Sequence, residues 1–398
     1  MVSEKYKDML KQKSVIREIC VRANERAKEI GADQVFNYSL GNPSVPAPER
    51  MNEVLKEIID TKDPLVLHGY SESHGIYEVR EAVAESLKRR FGIAYTADHI
   101  FMASGAAAAI AHAARAVTKP GDEMITFAPF FPEYNPYIRE AGVELKIVPA
   151  DTVGFQINFD EFKKLLNPKT NAVLINSPNN PTGVVYSKET IQKLADILRE
   201  KEKEYGHEIF IISDEPYREI VFSGVEAPVV SQYYDNTLVC YSFSKSLSLP
   251  GERIGYVAVN PKAKDAETII HMCTQISRGI GHNCPASLIQ LAVAEMLDET
   301  ADLSVYETNR DILYKELTDL GFECVKPEGT FYIFPKALEE DAKAFCEKAW
   351  KYNLALVPGD SFGCPGYFRI AYCVKTDMVK RSLEAFRALA KEYGKVGE

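Results

Sequence analysis

Four apolar, β-branched runs in this 398-residue chain end in groups that could do chemistry. After "HIFMA" come Ser104, Gly105 and Ala106, at the head of an alanine-rich stretch. After "AVLIN" comes Ser177-Pro178-Asn179-Asn180-Pro181-Thr182-Gly183. After "IFIIS" comes Asp214-Glu215-Pro216-Tyr217. After "LVCY" comes Ser242-Phe243-Ser244-Lys245, with Arg253 a short way beyond. Each has an ordinary use by itself: serine and aspartate cap helices, Asn-Pro-Thr-Gly makes turns, and most lysines lie on the surface. Four strand ends in chain order, each supplying a different polar group, make a more demanding pattern.

Together the groups meet one set of chemical needs. A phosphate is held by backbone N–H groups at a helix start, by small residues that allow close approach, and by an arginine. A pyridinium nitrogen wants a buried carboxylate. A phenolic ring oxygen wants an amide and a tyrosine hydroxyl. An aldehyde wants a lysine whose amine can lose its proton near neutral pH. Those are the needs of pyridoxal 5′-phosphate.

Such groups converge only if the strands lie side by side, because ligands bind at the carboxyl ends of strands in open α/β sheets. His99-Ile100-Phe101-Met102, "EMITFAPF", "NAVLINSP", "EIFIISDE", "NTLVCYSF" and "GYVAVN" read as strands. "ASGAAAAIAHAARAV" and "SKETIQKLADILREKEKEYG" read as helices between them. The alternation predicts an α/β domain with a mainly parallel sheet flanked by helices on both faces. After about Asn283 the texture changes. "PASLIQLAVAEMLDE" and "YETNRDILYKELTDLG" have helical spacing, with Gly321 at the end of the second. "GTFYIFP", "LALVPG" and "YFRIAYC" read as strands, and "DMVKRSLEAFRALAKEYG" as a last helix. This predicts a smaller α+β domain, against which a helix over about residues 14–31 packs. The expected division is 46–290 for the large domain and 1–45 with 291–398 for the small one.

The motifs "NSPNNPTG", "SDEPY" and "SFSKSLSLPGERIGY", in this order and spacing, resemble those of the class I/II aminotransferases. These are fold-type I enzymes dependent on pyridoxal phosphate, with a seven-stranded-type sheet. The resemblance runs from about Asn37 to the C-terminus. It implies that Lys245 is the Schiff-base lysine and proton shuttle, that Asp214 pairs with the pyridine nitrogen, and that Asn180 and Tyr217 hold the ring hydroxyl. Ser242, Arg253 and the backbone around Ser104, Gly105 and Ala106 would bind the phosphate. Where the family often has a hydroxyl residue after Ser-Gly, this chain has Ala106, so one phosphate contact is missing. Phe131 in "APFFPEY" matches the aromatic that stacks on the ring. Tyr70 in "HGYSESHG" matches a tyrosine that reaches the partner subunit's phosphate, which implies a homodimer with shared sites. Arg369 in "YFRIAYC" matches the arginine that grips the substrate α-carboxylate, and Gly41 in "YSLGNPSVP" the mobile glycine beside it.

The implied reaction is a ping-pong transfer of the amino group from an L-amino acid to a 2-oxo acid. A C–S β-lyase or a decarboxylase on the same fold is the alternative, since both start from the same cofactor adduct. For the substrate side chain, Arg278 in "SRGIGHNCP" resembles an arginine that binds a distal carboxylate from the other subunit in aspartate aminotransferases. Here Cys284 stands between Asn283 and Pro285, so the match is imperfect. A subgroup with a lysine at position 106 is not matched either.

Composition excludes other classes. The formal net charge is −10 and is spread along the chain, which argues against nucleic-acid binding. Neither G-x-x-x-x-G-K-[ST] nor a strand-following G-x-G-x-x-G occurs. A regulator built on this fold would carry a DNA-binding module, for which residues 1–36 are too short and too little basic. The eight cysteines are scattered, with no metal-ligand spacing, and are expected as free thiols of a cytoplasmic protein. "MVSEKYKDML" lacks an apolar core, so no signal peptide is expected. The most apolar stretch, Ala106–Val117, is too short and too polar to span a membrane.

Overall fold

The structure is a computed structural model that describes residues 2–10 and 14–395. Its central sheet has seven strands: β1 (Ile100–Ala103), β2 (Glu123–Phe127), β3 (Glu144–Val148), β4 (Thr170–Asn176), β5 (Phe210–Asp214), β6 (Thr237–Ser242) and β7 (Gly255–Val259). Their order is β1-β7-β6-β5-β4-β2-β3. Strand β7 runs antiparallel to both neighbours, and every other pair is parallel. The sheet is therefore mainly parallel, as the alternating pattern predicts. The strand β3 was not anticipated. Its sequence, ELKIV, is half exposed because it lies at the sheet edge, so the apolar run that marks buried strands is diluted.

Side chains alternate between the two faces of these strands. Met124, Leu174, Ile212, Leu238 and Val257 pack with the alanine-rich helix α2 (Ala106–Val117) and with α5 (Ala266–Gly279). Ile125, Val173, Ile175 and Ile211 face α4 (Lys188–Tyr205) through Leu194 and Leu198. Burying each such aliphatic side chain contributes roughly 1.5–3 kcal/mol, an upper range for a fully exposed reference chain. The small residues of α2 let its axis come close to the sheet, and that brings its N-terminus to the carboxyl rim.

A second, smaller α+β unit carries a three-stranded antiparallel sheet. Its strands are β8 (Tyr332–Ile333), β9 (Val357–Pro358) and β10 (Phe368–Ala371), in the order β9-β10-β8. Helices α6 (Ser304–Asp319) and α7 (Thr376–Glu392) cover it through Leu313, Leu317, Phe386 and Leu389. The N-terminal helix α1 (Val15–Ile30) leads into Phe36–Asn37, which pairs in parallel with Leu354–Ala355. Tyr38 Oη lies 2.6 Å from Ser382 Oγ on α7, a buried hydrogen bond that holds this segment down.

Backbone hydrogen bonds join the units at the carboxyl rim. The N–H groups of Glu328 and Gly329 donate to the Gly183 carbonyl at 2.9 Å each, and Thr330 N–H donates to the Ile220 carbonyl at 2.8 Å. Gly183 has φ +74°, and a β-carbon there would lie 2.6 Å from both Pro327 Cβ and the Tyr332 carbonyl oxygen. Asn-Pro-Thr-Gly is thus more than a turn: its glycine admits the backbone of the second unit. No helix among the described residues is long and apolar enough to cross a membrane.

Candidate active site

Sheet register aligns the chemistry. Asn176 on β4 pairs with Asp214 on β5, Asp214 with Cys240 on β6, and Ser242 with Gly255 on β7. The strands therefore end level, and the residues beyond them meet around a cavity of about 420 Å³. Lys245, Asp214, Tyr217, Asn180, Arg253 and Arg369 all line it.

Lys245 sits in a single helical turn, Phe243–Ser246, directly after β6. Ser242 Oγ caps that turn by accepting from Ser244 N–H at 3.1 Å and donates to Ser244 Oγ at 2.6 Å. The serines before the lysine thus hold its backbone. Ser246 likewise accepts from Tyr241 Oη at 2.8 Å. Lys245 Nζ donates to the Gly41 carbonyl at 2.7 Å. Burial lowers the ammonium pKa to about 8; Cys373 opposes this, and the guanidinium groups of Arg253 and Arg369 add to it. A lysine so placed holds a useful fraction of neutral amine near neutral pH.

Asp214 is 5% exposed. Its Oδ2 accepts from Tyr134 Oη at 2.5 Å, while Oδ1 is buried without a partner. Burial pushes the carboxyl pKa up to about 7, the Tyr134 hydrogen bond opposes the rise, and Glu215 adds to it. Behind it Asn176 ties the rim together. Its amide donates to the Asp214 carbonyl at 2.9 Å, and its oxygen accepts from Asn180 N–H at 2.7 Å.

At the start of α2, Arg253 donates to the carbonyls of Ser104, at 3.1 Å, and Pro250, at 3.0 Å. Arg253 itself has φ +52°, a left-handed backbone that arginine seldom adopts. Gly105 has φ +84°, and a β-carbon there would lie 2.6 Å from an Arg253 guanidinium nitrogen. The guanidinium is thus packed directly on the glycine that opens the helix. Ala106 and Ala107 line the cavity beside it, so the helix presents backbone to the ligand.

Across the cavity lies Arg369, on β10 and 1% exposed. It donates to Asn180 Oδ1 at 3.1 Å and to the Ser39 carbonyl, while its Nε has no partner. Its guanidinium stacks over Tyr332, with the carbon 4.6 Å from the ring centroid, and over Phe362 at 5.0 Å. Tyr217 and Tyr332 share a hydrogen bond of 3.1 Å between hydroxyls. Burial raises the Tyr217 pKa well above the usual range, so its proton is retained.

Phe131 lines the same cavity, edge-on to Tyr134 with centroids 5.7 Å apart. Ser104 contributes its carbonyl to Arg253 and does not line the cavity. Two expected residues stay apart from this chain's cavity: Tyr70 is fully exposed, and Arg278 is exposed near the end of α5. Conversely, sequence reading passed over Tyr134, Asn176 and Tyr332, and over Ser14, Ile16 and Arg17 from the N-terminal segment. Tyr134 lies on the short helix α3 (Tyr134–Arg139), three residues after Phe131, and only the fold shows that its hydroxyl meets Asp214.

The residues fit pyridoxal phosphate. The buried, unpartnered Asp214 Oδ1 suits a ring N–H, the backbone at α2 with Arg253 suits a phosphate, and a buried lysine of lowered pKa suits an aldehyde. Fold and site together define a pyridoxal-phosphate-dependent enzyme of fold type I. The family model for aminotransferase class I and II matches residues 33–386, and the chain belongs to that family. Among curated relatives, the aspartate aminotransferase of Thermotoga maritima is 32% identical over 88% of this chain and 90% of its own. The aromatic-amino-acid aminotransferase 2 of Thermococcus litoralis is 31% identical over 91% and 93%. A solved aminotransferase structure from Eubacterium rectale superposes with TM-score 0.96 at 48% identity, covering 99% of this chain and all of that one. The protein is a transaminase that uses pyridoxal phosphate to move amino groups between amino acids and 2-oxo acids.

Proposed function

We propose that Lys245 carries the cofactor and moves the proton, and that the preferred amino donor is aspartate or another dicarboxylic amino acid. The convergence of Lys245, Asp214, Arg253 and Arg369 on one cavity carries the first part. Relatives named as aspartate and aspartate/prephenate aminotransferases support the second.

Bound pyridoxal phosphate supplies an electron-withdrawing ring and an aldehyde that exchanges amino groups. Asp214 Oδ1 would accept from the ring nitrogen and keep it protonated. Asn180 and Tyr217 would hold the ring hydroxyl, with Phe131 against the ring. Ser242, Arg253 and the N–H groups of Gly105 and Ala106 would hold the phosphate. Arg369 would grip the substrate α-carboxylate beside Gly41, offering Nε, which has no partner of its own. With the carboxylate held, Lys245 Nζ as a neutral amine would take the proton from the substrate Cα.

In this reading the enzyme is a cytoplasmic homodimer. Tyr70 would reach the partner's phosphate, and Arg278 the distal carboxylate in the partner's cavity. The exposure of Leu65 (82%) and Val66 (53%) beside the fully exposed Tyr70 supports a covered face there. The large domain is read as 46–290, with 1–45 and 291–398 forming the small one.

A half-reaction screen tests the proposal. The loaded enzyme is mixed with single amino acids, and conversion of the cofactor to its pyridoxamine form is followed by absorbance. Fast conversion by aspartate or glutamate, lost in Arg278→Ala, is expected. Conversion by apolar or aromatic donors alone would reject the dicarboxylate preference. Pyruvate and ammonia released from a cysteine conjugate would favour a C–S β-lyase, which the relatives' names do not.

A further inference from the structure

Tyr332 touches three of the residues given roles above and has none of its own. It opens β8, is 3% exposed and lines the cavity. Its hydroxyl lies 3.1 Å from that of Tyr217, and its ring lies beneath the Arg369 guanidinium at 4.6 Å. It also fills the space that a β-carbon on residue 41 would need, with the hydroxyl 1.9 Å from that point.

Two phenols sharing one hydrogen bond have two proton arrangements. If Tyr217 donates to Tyr332, its proton is spent there. If Tyr332 donates, the Tyr217 proton is free to turn into the cavity. Among the described residues Tyr217 is the sole side chain or backbone group hydrogen-bonded to Tyr332 Oη. A buried hydroxyl donates to the acceptor it can reach. Tyr332 therefore donates its hydrogen bond to the Tyr217 oxygen once Tyr217 has an acceptor of its own.

We propose that Tyr332 is a positioning residue with two separable parts: its hydroxyl, by donating to the Tyr217 oxygen, strengthens the hydrogen bond Tyr217 donates toward the cofactor ring oxygen, and its ring supports Arg369. The proposal rests on the roles assigned above to Tyr217 and Arg369. It makes the first strand of the small sheet a working wall of the site. It also links the cofactor-facing phenol to the substrate-facing arginine through one side chain.

The test uses the loaded wild type and the variants Tyr332→Phe, Tyr332→Leu, Tyr217→Phe and the Tyr217→Phe/Tyr332→Phe double. Each is titrated with pH by the visible absorbance of the lysine-bound cofactor, and kcat and KM are measured for the amino donor. A ring oxygen that loses its donor is less stable as an anion, so the bound form should keep its proton to higher pH. Tyr332→Phe should raise the titration midpoint by less than Tyr217→Phe does and leave KM within about twofold, because the ring remains. Tyr332→Leu should raise KM several-fold as well. The double variant should titrate like Tyr217→Phe alone. A midpoint unchanged in Tyr332→Phe, or shifts that add in the double variant, would overturn the inference while leaving the cofactor reading intact. A wild type with no lysine-bound band would overturn the cofactor reading and the inference with it.

Discussion

Tyr134 donates its phenolic proton to Asp214 Oδ2 across 2.5 Å, and the other oxygen of that carboxylate is buried with no partner. One side of the carboxylate is thus fixed by the protein and the other is left for a ligand. Hydrogen bonds to a charged group contribute roughly 1.5–3 kcal/mol, or about 10- to 100-fold in binding. Tyr134→Phe should weaken cofactor affinity within that range while the variant still folds. Equilibrium titration of the cofactor-free protein with pyridoxal phosphate measures it; an unchanged Kd would show the contact to be idle.

Asp214→Asn should stabilise the cofactor-free protein increasingly as pH rises from about 4, with the full gain above about pH 7. Burial raises the folded carboxyl pKa to about 7 from the usual 3.8. Between those values the folded form holds more protons than the unfolded chain, so stability falls as pH rises through the window and the penalty is complete above it. The variant should melt higher than wild type at pH 8, by roughly 1 °C for each kcal/mol recovered in a chain of this length. The two should converge near pH 4. Activity of the loaded variant should drop sharply over the same range.

The lowered pKa of Lys245 predicts how fast the cofactor-free protein captures an aldehyde. Only the neutral amine attacks, and its fraction rises with pH through about 8 and then levels off. Stopped-flow absorbance with pyridoxal phosphate should follow that curve. A midpoint near the ordinary lysine value of 10.5 would contradict the burial argument. Lys245→Ala should bind the cofactor without the lysine-bound band, and a normal band in that variant would sink the assignment.

Gly105→Ala should cost more than a methyl group ordinarily would. The new β-carbon would press on the Arg253 guanidinium at 2.6 Å, on a backbone with φ +84° that alanine resists. Displacing that guanidinium should raise the Kd for pyridoxal phosphate at least tenfold and for the phosphate-free pyridoxal much less. Equal losses for the two ligands would place the damage elsewhere.

Arg369→Lys keeps the charge and loses the planar fork. A single ammonium has three donors, too few for Asn180, Ser39 and both oxygens of a carboxylate together. KM for the amino donor should rise about 100-fold, with the bound cofactor's spectrum unchanged. Steady-state kinetics beside an absorbance scan separates the two effects.

The residues legible in the sequence were those that follow buried strands, because a buried parallel strand announces itself as an apolar run and its end as the next polar residue. Asn180, Asp214, Tyr217, Ser242 and Lys245 were read in that way, and all five line one cavity. Tyr332 and Arg17 were not, since they reach the cavity from a two-residue strand and the N-terminal helix, and neither was Tyr134, which meets Asp214 from a short helix. What brings them in is tertiary packing, which leaves no local period. Strand β3 was missed for a related reason: at an exposed edge, charged residues replace the apolar ones.

Gly41 and Tyr332 stand near opposite ends of the chain, yet an added carbon at the first overlaps the hydroxyl of the second. Position 41 can therefore not drift alone. Any heavier residue at 41 must wait until 332 has shortened, while 332 can shorten with the glycine still in place. The order of the two changes is set by geometry. A library randomised at position 41 in the Tyr332 background should return glycine almost exclusively, and one made in a Tyr332→Ala background should return alanine and serine as well.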